Sequence, residues 1–64
     1  MVYSNNSSIY DQVHQFVSSM PNKQVCYNWI WNQFPNEQVG TIVDTLVAQG
    51  KLRFSSRYQM VYAN

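Results

Sequence analysis

The chain has 64 residues, four basic and three acidic, for a formal net charge of +1. That length makes a single domain, 1–64, near the lower limit for independent folding, and its charge is low for a nucleic-acid-binding domain, which is usually clearly basic. One cysteine and one histidine exclude an intrachain disulfide and a structural zinc site, so stability must come from apolar burial.

The opening MVYSNNSS has neither a basic region nor an apolar run, so it does not read as a signal peptide. Residues 1–7 are expected to fray. No stretch approaches the ~20 apolar residues of a membrane span. The free thiol suits a reducing, cytoplasmic setting. Ser8, with Asp11 three residues on, resembles a capping box. Ile9, Val13, Phe16, Val17 and Met20 then recur at helical spacing and predict an amphipathic helix over about 9–20. Pro21 disfavours helix at Met20, and Pro21-Asn22 reads as a turn.

Lys23–Cys26 reads as short and extended. From Tyr27 two periods compete. Tyr27, Ile30, Trp31 and Phe34 make a helical face, whereas Val25, Tyr27, Trp29 and Trp31 make a strand face. The strand would place Ile30 on the side of Asn28 and Asn32. A strand over about 24–26 and a helix over about 27–34, ended by Pro35, fits better. Trp31 and Phe34 are then expected in the core, and Cys26 as a small buried hydrophobe.

The clearest helix follows, over about 37–49. Val39, Ile42, Val43, Leu46 and Val47 have the spacing of one helical face. Asn36 is placed to cap it, Glu37 to complement its dipole, and Gly50 to take the left-handed position after its end. Gly40 costs about 1 kcal/mol against alanine inside a helix. Close packing on the second helix, or close approach of a partner, would explain it. Beyond Gly50 the period becomes two, with Leu52 and Phe54 on one face and Lys51, Arg53 and Ser55 on the other. Tyr58, Met60 and Tyr62 alternate on the return. A three-residue loop, Ser55-Ser56-Arg57, pairs Phe54 with Tyr58 and Leu52 with Met60. A two-residue loop would pair Phe54 with Gln59, so matching of faces favours the longer one, although it lacks the usual glycine.

The fold class is therefore α+β, mainly α with a small β hairpin, in the order α-β-α-α-β-β. In that order, and in the join VDTLVAQGKLRF between the third helix and the hairpin, residues 8–62 resemble the winged helix-turn-helix family. The resemblance implies a third helix directed to a DNA major groove and a hairpin wing on the backbone or minor groove. The Z-DNA-binding branch has a similar layout, but uses an Asn and a Tyr on the third helix and proline and tryptophan in the wing. Here Gly40 and Asp44 take those helix positions and the wing has neither residue type, so that activity does not carry over.

The exposed face of the third helix should hold Glu37, Gln38, Gly40, Thr41, Asp44, Thr45 and Ala48. Gln38 suits a bidentate pair with adenine, and Thr41 suits a thymine methyl or a hydrogen bond. Asn36 and Thr45 flank them. The face has no cation, and Asp44 repels phosphate. The basic feature lies in the hairpin, where Lys51, Arg53 and Arg57 accompany Ser55 and Ser56. Hydroxyls with cations suit phosphate contact, but cations also protect an edge strand from aggregation. Trp29 lies off the apolar face of its helix and is an interface candidate, with Tyr3 and Tyr10 near it.

His14 and Asp11 share a helix face, but no nucleophile accompanies them, and the acids show no metal-ligand spacing. No enzyme, cofactor or metal is expected. Two readings stay open. One is a small DNA-binding regulator, of the size typical of viral or mobile-element regulators, acting on double-stranded DNA as a homodimer. The other is a protein-interaction module of the same fold, anchored by Trp29, Tyr58 and Tyr62, that modulates a protein partner without DNA contact.

Overall fold

A computed structural model of the chain describes residues 8–64. The expected fraying of residues 1–7, and the interface role of Tyr3, lie outside the described residues. The protein is a small α+β domain of helices and a three-stranded antiparallel sheet. Helix α1 spans Ile9–Ser18, strand β1 Gln24–Cys26, helix α2 Tyr27–Gln33, helix α3 Val39–Ala48, strand β2 Leu52–Ser55 and strand β3 Met60–Ala63. A 3-10 turn, Pro21–Lys23, joins α1 to β1.

Helix α1 starts where the sequence places it. The Ser8 side chain accepts the Asp11 N–H at 3.2 Å, satisfying one of the first-turn donors that have no partner within the helix. Ser8→Ala should therefore lower stability by about 1 kcal/mol, read from urea melts. The helix ends at Ser18, two residues before Met20, and the Ser19 hydroxyl donates back to the Gln15 carbonyl at 2.8 Å. Met20 is extended (φ −76°, ψ 153°), as the residue before a proline must tend to be. Val13 and Val17 are fully buried, with Ile9, Phe16 and Met20 packed around them.

Helix α3 departs from expectation at its start and obeys it at its end. Asn36 and Glu37 lie in the turn Phe34–Gln38, where Glu37 N–H bonds the Phe34 carbonyl and Val39 N–H bonds the Glu37 carbonyl. The helix begins only at Val39, and Gln38 holds the N-cap position without a side-chain bond. Asn36 is thus no cap; the local turn satisfies the backbone first. At the far end Gly50 takes φ 78°. Its N–H bonds the Val47 carbonyl, and Lys51 N–H bonds the Leu46 carbonyl at 2.9 Å. This is the paired termination that a left-handed glycine permits. Gly40 sits close to α2: a β-carbon there would lie 3.3 Å from the Tyr27 hydroxyl and 3.7 Å from Trp31 Cζ2. Packing between the helices accounts for that glycine.

The hairpin corrects the expected loop. β2 pairs with β3 as Leu52↔Ala63, Arg53↔Tyr62, Phe54↔Val61 and Ser55↔Met60. The connecting turn is Ser56–Gln59, not Ser55–Arg57, so Tyr58 lies in the turn and faces solvent, 64% exposed. Val61 and Ala63 share the inner face with Leu52 and Phe54, while Met60 and Tyr62 lie on the outer face. Gln59 supplies the positive φ (53°) that glycine usually supplies. Its side-chain amide donates to the Ser56 carbonyl at 2.7 Å, and the Ser55 hydroxyl accepts the Tyr58 N–H at 3.4 Å. These bonds hold the turn without a glycine.

β3 is the middle strand of the sheet, with β1 on its other side in the register Gln24↔Tyr62, Val25↔Val61, Cys26↔Met60. Helix α1 packs against both α3 and β3. The core joins Ile30 of α2, four residues of α3 (Val39, Ile42, Val43, Leu46), and Val25, Leu52 and Val61 of the sheet to the α1 valines.

Candidate functional site

Three surfaces carry the exposed chemistry of the described residues. The first is the outer side of α3. Thr41, Asp44 and Ala48 are exposed there, and Asn36, Glu37 and Gln38 are exposed in the preceding turn. Thr45 is partly buried, contrary to the expectation of an open position. Its place in the helix turns it toward the core flank. Asp44 is the only charge on this side of the helix itself, so its potential opposes an anion.

The second surface is the hairpin. Lys51, Arg53, Ser56 and Arg57 are exposed, and Ser55 is half-buried. Arg53 lies on the outer sheet face with its guanidinium 5.8 Å from the centre of the Tyr62 ring. Arg57 lies 5.4 Å from the Tyr58 ring. Each aromatic face attracts the cation above it. The Ser55 hydroxyl oxygen is engaged within the turn, and Ser56 contributes its carbonyl there. The hairpin is also pinned to the domain, because Tyr27 N–H donates to the Gln59 carbonyl at 2.8 Å.

The third surface is apolar, and the sequence reading largely missed it. Trp31, expected in the core, is 40% exposed, and Phe54 is equally so. Tyr27 links them: its ring is 5.1 Å from that of Phe54 and meets Trp31 edge-on at 6.2 Å. Val47, two turns along from Gly40 on the same flank of α3, is 38% exposed instead of buried. Trp29 is 59% exposed on another side of α2, and Tyr10 is 37% exposed on α1. Cys26 is exposed, not buried. It points away from the core because Val25 beside it points in, and that alternation is the signal the sequence offered.

Among the described residues, no group of three His, Cys, Asp or Glu side chains could hold a metal ion. No helix among them is long and apolar enough to cross a membrane. Comparison of the chain with protein-family models, with curated proteins and with solved structures finds no match.

Proposed function

We propose that this chain is a small DNA-binding regulator of the winged-helix type. One observation carries the reading. The sheet order is β1-β3-β2, and α3 runs through the Gly50 turn directly into the β2–β3 hairpin. That connection places the hairpin directly after α3 in the chain, and both the outer side of α3 and the hairpin tip are exposed. In a winged helix these are the groove-reading helix and the wing. Arg57 and Lys51 would contact phosphates, and Gln38 and Thr41 would meet base edges.

Charge limits the affinity. Four basic groups neutralise at most about four phosphates, for a salt slope of roughly −3.6 or shallower. A second copy on a neighbouring half-site would double those contacts. Exposed Trp29 and Tyr10 are the side chains we assign to such a homodimer. Titration against random duplex DNA at two salt concentrations tests the reading. Arg57→Ala should weaken binding to all sequences alike and flatten the slope by about one unit. Gln38→Ala should instead reduce preference for one site. Salt-independent or undetectable binding would contradict the proposal.

The aromatic row Phe54–Tyr27–Trp31 favours a second reading, a protein-interaction module. Partly exposed aromatics that touch one another are what binding hot spots are made of. Under this reading Trp31→Ala would abolish partner binding and leave DNA binding unchanged.

A further inference from the structure

The sheet has an edge whose hydrogen-bonding groups are unused by its own ladder. β2 is an edge strand, because β3 lies between it and β1. Asn64 N–H donates to the Lys51 carbonyl at 3.1 Å, and these two residues continue the Leu52↔Ala63 register. Hydrogen-bonded and non-bonded pairs alternate along an antiparallel ladder. Arg53 and Ser55 therefore turn their backbone groups toward β3, and Leu52 and Phe54 turn theirs outward.

We propose that β2 is a docking edge for an extended acidic segment of another protein, in which acidic and apolar residues alternate. An added strand would bond to the N–H and C=O groups of Leu52 and Phe54, and its side chains would fall on two faces. Those opposite Lys51 and Arg53 share the outer face, where both cations are exposed and Arg57 follows in the turn. Acids there meet cations. Asp11, Glu37 and Asp44 lie on α1, before α3 and on α3, so none belongs to the sheet. On the inner face, a side chain opposite Phe54 lengthens the aromatic row that Phe54 begins with Tyr27.

Charge also disfavours a second copy of the chain as the occupant. With Leu52 and Phe54 as the bonded positions, two-fold antiparallel pairing of β2 with itself sets Arg53 against Arg53 or Arg53 against Lys51; the register centred on Phe54 avoids this but pairs only residues 53–55, because Ser56 and Arg57 lie in the turn. Like charges directly opposite each other destabilise a pair of strands. The edge thus disfavours itself and accepts the opposite charge.

The test uses a short fluorescein-labelled peptide of alternating glutamate and valine, titrated by anisotropy, with amide hydrogen exchange followed by NMR. Saturable binding is expected, together with new protection of the Leu52 and Phe54 amides. Arg53 and Ser55 amides, already bonded to β3, should change little. Arg53→Glu should weaken binding about tenfold or more. Because Arg53 also stacks on Tyr62, Lys51→Glu, at an exposed position outside the strand, serves as the second variant and should weaken binding in the same direction. No saturable binding overturns the proposal. So does binding that leaves exchange at Leu52 and Phe54 unchanged, since that is diffuse attraction without an added strand. Binding to random duplex DNA but not to the peptide also overturns it, while leaving the winged-helix reading intact.

Discussion

Leu46→Ala is expected to lower the unfolding free energy by about 2–5 kcal/mol. Leu46 is fully buried and lies at the inner end of α3, among the helix, α1 and sheet side chains of the core. Truncation removes its transfer free energy and leaves a cavity that a small, close-packed core cannot fully close. Its carbonyl also anchors the turn into the hairpin by accepting the Lys51 N–H, so the helix end and the first strand share this residue. A domain of this size has only a few kcal/mol in reserve. The variant should be largely unfolded by mild urea, with far-UV circular dichroism as the readout. A loss under about 0.5 kcal/mol would place Leu46 outside the core.

Val61→Asp should abolish the fold altogether. Val61 is fully buried in the middle strand, opposite Val25 on one side and Phe54 on the other. A carboxylate there has no buried partner, and its desolvation costs several kcal/mol unless it takes up a proton. Tyr58→Asp is the companion. Tyr58 is 64% exposed in the turn, so that change should cost no more than about 0.5 kcal/mol. Thermal melts of the two variants separate the observed register from the three-residue loop, which would have put Tyr58 on the inner face. Comparable losses in both would refute the observed pairing.

The helices were legible in the sequence because the information that specifies them is local. A period in the apolar residues, a serine before α1 and a glycine after α3 each act within a turn or two. The start of α3 was less legible: Asn36 has the chemistry of a cap, but Pro35 and the local turn bonds of Glu37 and Val39 use the backbone differently. The phase of β3 failed for a subtler reason. Tyr58, Met60 and Tyr62 are larger than Val61 and Ala63, and bulk suggested burial. The return strand instead buries its small residues, because its inner face meets α1 at close range. The exposed basic residues of the hairpin could be read from residue type and alternation. The aromatic row could not, since Trp31 and Phe54 look like core and only the tertiary arrangement reveals that so small an interior leaves them part-exposed.

The central place of β3 bears on how the chain acquires its shape during synthesis. Translation delivers α1, β1, α2, α3 and β2 before the strand that must lie between β1 and β2. Until Met60–Ala63 clears the ribosome, neither neighbour has a ladder partner, and Val25 and Phe54 lack Val61 opposite them. Helices can form early on local contacts, but the domain cannot close stepwise from its amino end. Closure of the sheet therefore waits for the emergence of β3. Stalling the nascent chain just before residue 60 should leave the β1 and β2 segments sensitive to protease.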